Sequence, residues 1–256
     1  MGLKEDLINA YKSVGVLDAN IIYIYSDFRT FGRQLEKFPN RQAFFQTFID
    51  PFLERDKTII LTTFTYTTSG DFNTLTTPTK FGALNKWVLK QEDVLRSEHP
   101  LFSYAGLGTQ AEFLTDIGHS AFGRDSIFDR LSEKNAAFLY LGRPISNGNT
   151  LIHYIEHLSG ATYRIHKTFP TNVYRGKEFI GTHYSAFVRR RDIIGETFEF
   201  QFSEAAQLLR KKGIIHQVGS EKNFTNISCL NYDHTVDFLF ELFSKDPTIF
   251  IKSNFI

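Results

Sequence analysis

Cysteine is almost absent: Cys229 is the only one in 256 residues. An internal disulfide and a cysteine-based zinc cluster are therefore excluded. A reducing compartment is the natural expectation. No apolar run approaches the ~18 residues of a membrane span, so no membrane partner is expected. An excess of charge is missing as well: 29 Lys and Arg against 28 Asp and Glu give +1. So flat a balance does not suit bulk capture of nucleic acid. It gives no general attraction for a polycation either. Internal repeats, low-complexity tails and Pro/Gly-rich linkers are lacking, which favours one domain over residues 1–256. The opening Met1-Gly2-Leu3-Lys4-Glu5-Asp6 has no apolar segment like that of a secretory signal. Asp6 stands where a myristoylation signal has Ser or Thr. A cytoplasmic location is expected, and the sequons at Asn223 and Asn226 then carry no sugar.

Apolar residues, 42% of the chain, support a sizeable core. Leu3, Leu7, Ile8 and Tyr11 form one stripe of a helix over 3–13. Ile21 to Tyr25 reads as a buried strand, 41–55 as a helix and Thr58 to Thr62 as the next strand. That spacing implies a parallel α/β unit. Ala136 to Leu141 is a further strand and Thr150 to Leu158 a helix. Beyond them lie a strand at 198–202, a helix over 203–212, strands at 214–218 and 226–230, and a closing helix at 233–244. Interleaving of this kind predicts an α/β fold with a mixed central sheet flanked by helices.

The strongest local signal is Thr150-Leu151-Ile152-His153-Tyr154-Ile155-Glu156-His157. On a helix, His153, Glu156 and His157 share a face. A carboxylate that orients a histidine makes a general base. The same letters spell H-x-x-E-H, a zinc-hydrolase pattern, and a polar wet helix face would also fit. Nine threonines crowd the stretch from Thr62 to Thr79 and leave a strand end, where α/β proteins hold ligands. Thr is also an ordinary strand and turn residue. Gly106-Leu107-Gly108-Thr109-Gln110-Ala111 matches a dinucleotide fingerprint, with Asp129 beyond it. No apolar strand separates Gly108 from Asp129, which counts against that reading. Arg96-Ser97-Glu98-His99-Pro100 joins an anion binder to a titratable group, or is a solvated turn. Cys229 lies in an apolar run and reads as core. Arg189-Arg190-Arg191 reads as a solvated face or a phosphate contact.

Taken in order, several of these segments resemble the aminoglycoside 3-N-acetyltransferase family. Ile22 to Ser26 with Phe31-Gly32 is similar to the family's opening strand and turn, where Tyr25-Ser26-Asp27-Phe28 replaces its His-Ser-Ser-Leu. Thr63-Phe64-Thr65-Tyr66 resembles its Pro-Thr-Phe-Thr element, with Thr62 in place of the Pro. Arg96-Ser97-Glu98-His99-Pro100-Leu101-Phe102-Ser103 resembles its Arg-Ser-x-His-Pro-x-x-Ser. Thr150-x-x-His153-x-x-Glu156 resembles its Thr-x-x-His-x-x-Glu. Asp192 to Gly195 is a weaker match. The resemblance implies metal-free acyl transfer from a coenzyme A thioester (acetyl-CoA or hydroxyacyl-CoA) to an amine. His153 is then the base, held by Glu156 or by Asp192. Ser26, Phe31, Gly32, Arg96, Ser97, His99 and Ser103 are implied to receive the coenzyme. Arg29, Thr63, Thr65, Tyr66 and Thr150 are implied to receive the acceptor. The departures and the flat charge favour a nucleotide-linked amino sugar of surface-glycan synthesis over a polycationic aminoglycoside. Arg29, Arg33, Arg164, Arg175 or Arg189–Arg191 are the candidate diphosphate contacts.

Overall fold

The computed structural model describes residues 2–190, 198–220 and 226–253. Its centre is a seven-stranded mixed sheet. Strands β1 (Ile21–Ser26), β2 (Thr58–Thr62) and β6 (Ala136–Leu141) run parallel, with β1 in the middle. The short strand β4 (Leu95–Arg96) pairs antiparallel with β5 (Tyr104–Leu107), and β5 with β2. On the far side β13 (Ile227–Asn231) pairs antiparallel with β6, and β12 (His216–Val218) with β13.

Strand alternation divides the core in two. Tyr23, Tyr25, Phe138 and Tyr140 join one apolar cluster; Ile22, Ile24, Leu139 and Leu141 join the other. A buried strand sends successive side chains to opposite faces, so each face needs its own helices. Helices α1 (Leu3–Ser13), α3 (Arg41–Leu53) and α4 (Ala83–Val88) cover the second face. Asn40 caps α3 by accepting from the Ala43 N–H at 2.9 Å, as the N-cap rule asks. Helices α5 (Ile127–Leu131), α6 (Leu151–Leu158), α7 (Ser203–Lys211) and α8 (Tyr232–Lys245) cover the first. A short helix, α2 (Gly32–Leu35), follows the turn after β1. The expected mixed sheet flanked by helices is the observed one.

Three small sheets lie outside the sequence expectations in whole or part. A ribbon pairs β7 (Arg164–Phe169) with β10 (Tyr184–Arg189). Strand β8 (Thr171–Arg175) pairs with β3 (Gly70–Asn73) and β9 (Glu178–Gly181). Strand β11 (Phe198–Phe200), which the alternation anticipated, pairs with β14 (Ile251–Ser253). Among the described residues no helix is long and apolar enough to cross a membrane.

Candidate active site

Helix α6 packs Leu151, Ile152 and Ile155 into the core, which fixes where its polar face lies. Gly160, at φ +66°, ends the helix in the left-handed region that glycine adopts without strain. The chain then turns back under the helix. The Ala161 N–H donates to the Glu156 backbone oxygen at 2.9 Å, and Tyr163 and Arg164 reach the Glu156 carboxylate. The Tyr163 hydroxyl donates to Oε1 at 2.8 Å, and the Arg164 Nε forms an ion pair with Oε2 at 2.8 Å.

His153 Nδ1 lies 2.9 Å from the same Oε2. The Glu156 side chain is wholly buried, whereas that of His153 is 22% exposed. Burial pushes the Glu156 carboxyl up. The hydrogen bond and charge of His153, the charge of Arg164 and the Tyr163 hydroxyl outweigh it and hold the group below its usual value. An ionised carboxylate only accepts, so Nδ1 carries the proton and Nε2 the lone pair. Arg164 Nη2 also approaches Nδ1, at 3.0 Å, but can only donate. Nδ1 serves one neighbour at a time, and the carboxylate is the stronger claimant. Burial lowers the proton affinity of His153. The Glu156 hydrogen bond opposes this without overcoming it, and Arg164 and Arg189 act with burial. His153 is therefore neutral at neutral pH.

Aromatic rings frame the imidazole. Phe122 stands edge-on at 5.1 Å and Phe200, of β11, at 4.9 Å. The loop that carries Phe122 is held on β10, where the Ala121 N–H donates to Ser185 O and the Ser185 N–H to His119 O, both at 2.9 Å. Thr150 sits one turn before His153, with its hydroxyl 3.3 Å from that of Tyr25. The Tyr25 hydroxyl also donates to Asn149 Oδ1 at 2.7 Å, so the end of β1 is tied to the start of α6.

One residue past Tyr25, the turn opens onto a cavity of about 420 Å³ lined by Ser26, Arg29, Gly32, Arg41 and the rings of Phe28 and Phe44. Asp27 lines the cavity too and pairs with Arg29; Arg41 and that pair beside an apolar floor suit a long chain that ends in an anion. Gly142 (φ +66°), past the end of β6, is required here: a Cβ would strike the Thr30 hydroxyl and the Asp27 carbonyl. Phe31 departs from its expected place. It is buried and packs on Phe48 at 5.1 Å, because the apolar cluster under α3 claims its ring.

The Arg96–Ser103 segment is a brace rather than a lining. Arg96, Ser97, His99 and Ser103 are all buried. The Arg96 guanidinium donates to the Thr63 oxygen at 2.8 Å, to the Thr77 oxygen and to Ser103 Oγ at 3.2 Å. Burial brings its pKa down to about 10. Ser103 Oγ donates to the Thr63 oxygen at 2.8 Å, and Ser97 Oγ accepts from the Tyr104 N–H at 2.9 Å. His99 Nδ1 accepts from the N–H groups of Leu101 and Phe102, so its Nε2 donates to the Ser185 oxygen at 3.0 Å. Burial holds its pKa down at about 4. Thr63 and Thr65 are buried too, Thr65 bonding to the Pro100 oxygen. Tyr66 alone of that trio is exposed, 46%, and holds an unusual φ of +53° against Phe102 and Phe81. Asp192 lies outside the described residues.

The other sequence readings resolve on geometry. His157 does not join His153 and Glu156: its ring lies on His166 at 4.7 Å and Phe187 at 5.2 Å. No group of three His, Cys, Asp or Glu side chains among the described residues is placed to hold a metal ion. The glycine pair at 106–108 ends β5, which runs antiparallel to β2 and leads into a 3-10 turn rather than a phosphate-binding helix. Cys229 is core, with burial pushing its thiol up to about 12. Tyr163, Phe122 and Phe200 carried no signal by spacing, because only the tertiary fold brings them to α6.

The family profile described as aminoglycoside 3-N-acetyltransferase matches residues 52–244. An aminoglycoside N(3)-acetyltransferase III of Acinetobacter baumannii is 37% identical over 79 residues, 30% of this chain. That match spans 27% of the relative's own length. Two solved structures share the fold. AAC-IIIb, a binary complex with CoASH, has a TM-score of 0.74 at 18% identity, covering 95% of this chain and 97% of its own. AAC-VIa bound to sisomicin has a TM-score of 0.73 at 17% identity, covering 94% and 97%. With three quarters of its length inside that profile, the chain belongs to the aminoglycoside 3-N-acetyltransferase family.

Proposed function

We propose that the protein transfers an acyl group from a coenzyme A thioester to the amine of an amino sugar, with His153 as general base. The observation that carries this is a neutral, partly exposed imidazole whose Nδ1 donates to a buried ionised carboxylate. Such a pair presents a lone pair on Nε2 at neutral pH. As the amine nitrogen adds to the thioester carbonyl, Nε2 takes its proton; the C–S bond then breaks and the imidazolium returns that proton to the sulfur, so the coenzyme leaves as the thiol. Ser26, Gly32, Arg29 and Arg41 are the residues that would hold the coenzyme, which supplies the activated acyl group. The Arg29 N–H of the turn Phe28–Phe31 already donates to the Asp27 carboxylate at 3.1 Å, so the donor to the developing oxyanion is proposed among the other backbone N–H groups between Ser26 and Gly32. The buried thiol of Cys229 takes no part, so transfer is direct. The cytoplasm, where acyl-CoA is present, is the matching location.

For the acceptor we favour a nucleotide-linked amino sugar, as in bacterial surface-glycan synthesis. Among the described residues the charges beside His153 are those of Glu156, Arg164 and Arg189, and with Arg164 paired to Glu156 they sum to one positive charge. That setting suits an amine whose molecule carries a diphosphate. The second reading is an aminoglycoside acceptor, favoured by the family profile and the A. baumannii relative. Thiol release from acetyl-CoA, measured with UDP- and dTDP-amino sugars against an aminoglycoside panel, separates the two. Turnover of sugar nucleotides alone supports the first acceptor, and turnover of aminoglycosides alone the second. Absence of turnover with every amine refutes the acyltransferase reading.

A further inference from the structure

Arg164 and Arg189 face each other directly across the β7–β10 ribbon. Like charges opposite one another destabilise an antiparallel pair. This pair is nevertheless brought together at the site. Both guanidiniums lie over the ring of Phe200, at 5.6 Å and 4.6 Å from its centroid. Arg164 is nearly wholly buried, and its orientation is fixed from β10, where Nη1 donates to the Phe187 oxygen at 2.9 Å.

We propose that Arg164 and Arg189 are positioning residues for the His153–Glu156 pair: they fix the carboxylate and oppose a second proton on the imidazole. The inference rests on His153 being the base. A carboxylate alone beside a histidine favours the imidazolium, and an imidazolium cannot accept the amine's proton. Arg164 counters this by sharing Oε2 with Nδ1 and by placing Nη2 3.0 Å from that nitrogen. Arg189 adds a second cation from the neighbouring strand. Among the described residues, the groups around the imidazole are Glu156 from its own helix, Arg164 from β7 with Tyr163 just before it, the uncharged rings of Phe122 and Phe200, and, across the Phe200 ring, Arg189 from β10. The direction of the His153 shift agrees, since both arginines act to lower it.

The test is the pH dependence of kcat/KM together with the His153 titration by NMR in the ligand-free protein. It uses wild type, Arg164→Gln, Arg164→Lys and Arg189→Gln. Arg164→Gln is expected to move the His153 midpoint and the acid limb up by about one pH unit. Arg164→Lys keeps the cation and leaves both near wild type, though the geometry it gives up lowers kcat. Arg189→Gln moves both in the same direction by less. Should Arg164→Gln fail to fold, Arg189→Gln decides, because its side chain is exposed and β10 does not rely on it for core packing. Midpoints unmoved in the glutamine variants that fold overturn the proposal. His153→Ala separates this from the underlying reading. If that variant stays active while the midpoints move, the base assignment fails and the tuning stands. If it is inactive and the midpoints stay fixed, the tuning alone fails.

Discussion

Two histidines, each from a family-like motif, end in opposite circumstances. His153 is partly open and faces an ionised carboxylate; His99 is sealed and faces only backbone. Both are neutral at pH 7, yet only one has a ring nitrogen left to do chemistry. His99 uses both nitrogens on Leu101, Phe102 and Ser185, whereas His153 commits one to Glu156. A histidine in a conserved-looking string is thus no guide to its role. The partner and the second nitrogen decide.

The widest gap between the two should appear in turnover. His153→Ala is expected to lower kcat by about 10²–10⁴ with folding intact, measured as thiol release beside a thermal melt. His99 should instead show itself in stability against pH. Its folded pKa of about 4 lies below the ~6.5 of a free imidazole. As pH falls through that window the unfolded chain takes up a proton that the folded one refuses. Stability is therefore lost on acidification, by up to ~3 kcal/mol, and His99→Gln removes that share of the loss in denaturant titrations at pH 7 and pH 4.5.

Arg96 extends the brace side of the comparison. Arg96→Met removes the donor to the Thr77 oxygen and one of the two donors to the Thr63 oxygen, and should cost ~2 kcal/mol of stability, with kcat per folded molecule little changed. A large loss of kcat at full stability would break the division between brace and active pair. The smallest effect is at the cavity mouth. Arg29 is exposed and pairs with Asp27, so Arg29→Ala should raise the KM for acetyl-CoA a few-fold and leave the melt unchanged.

Local periodicity made the central layers legible. The runs at 21–25, 58–62 and 136–141 read as buried strands and are strands, and 3–13, 41–55 and 150–158 read as helices. β5 was not legible, because Gly106 and Gly108 mimic a phosphate loop; the tight approach of Leu114 and Thr58 explains both glycines. The ribbon β7–β10 was missed because one of its strands is exposed along most of its length and has no apolar alternation. At the site, His153 and Glu156 were readable from helical spacing. Tyr163 and Arg164 were not tied to them, since the turn at Gly160 that returns them to Glu156 has no periodic signature. The Arg96 to Ser103 string was implied as a lining by the family resemblance, while its residue types alone left an anion binder or a solvated turn open; burial turns its donors inward to carbonyl groups.

The most direct test of the central claim is thiol release from saturating acetyl-CoA at neutral pH, with the best amine of the acceptor panel, for wild type, His153→Ala and His99→Gln side by side. Loss of at least about a hundredfold in His153→Ala, with His99→Gln retaining most of the rate per folded molecule, is the expected result. Equal rates for wild type and His153→Ala would contradict it.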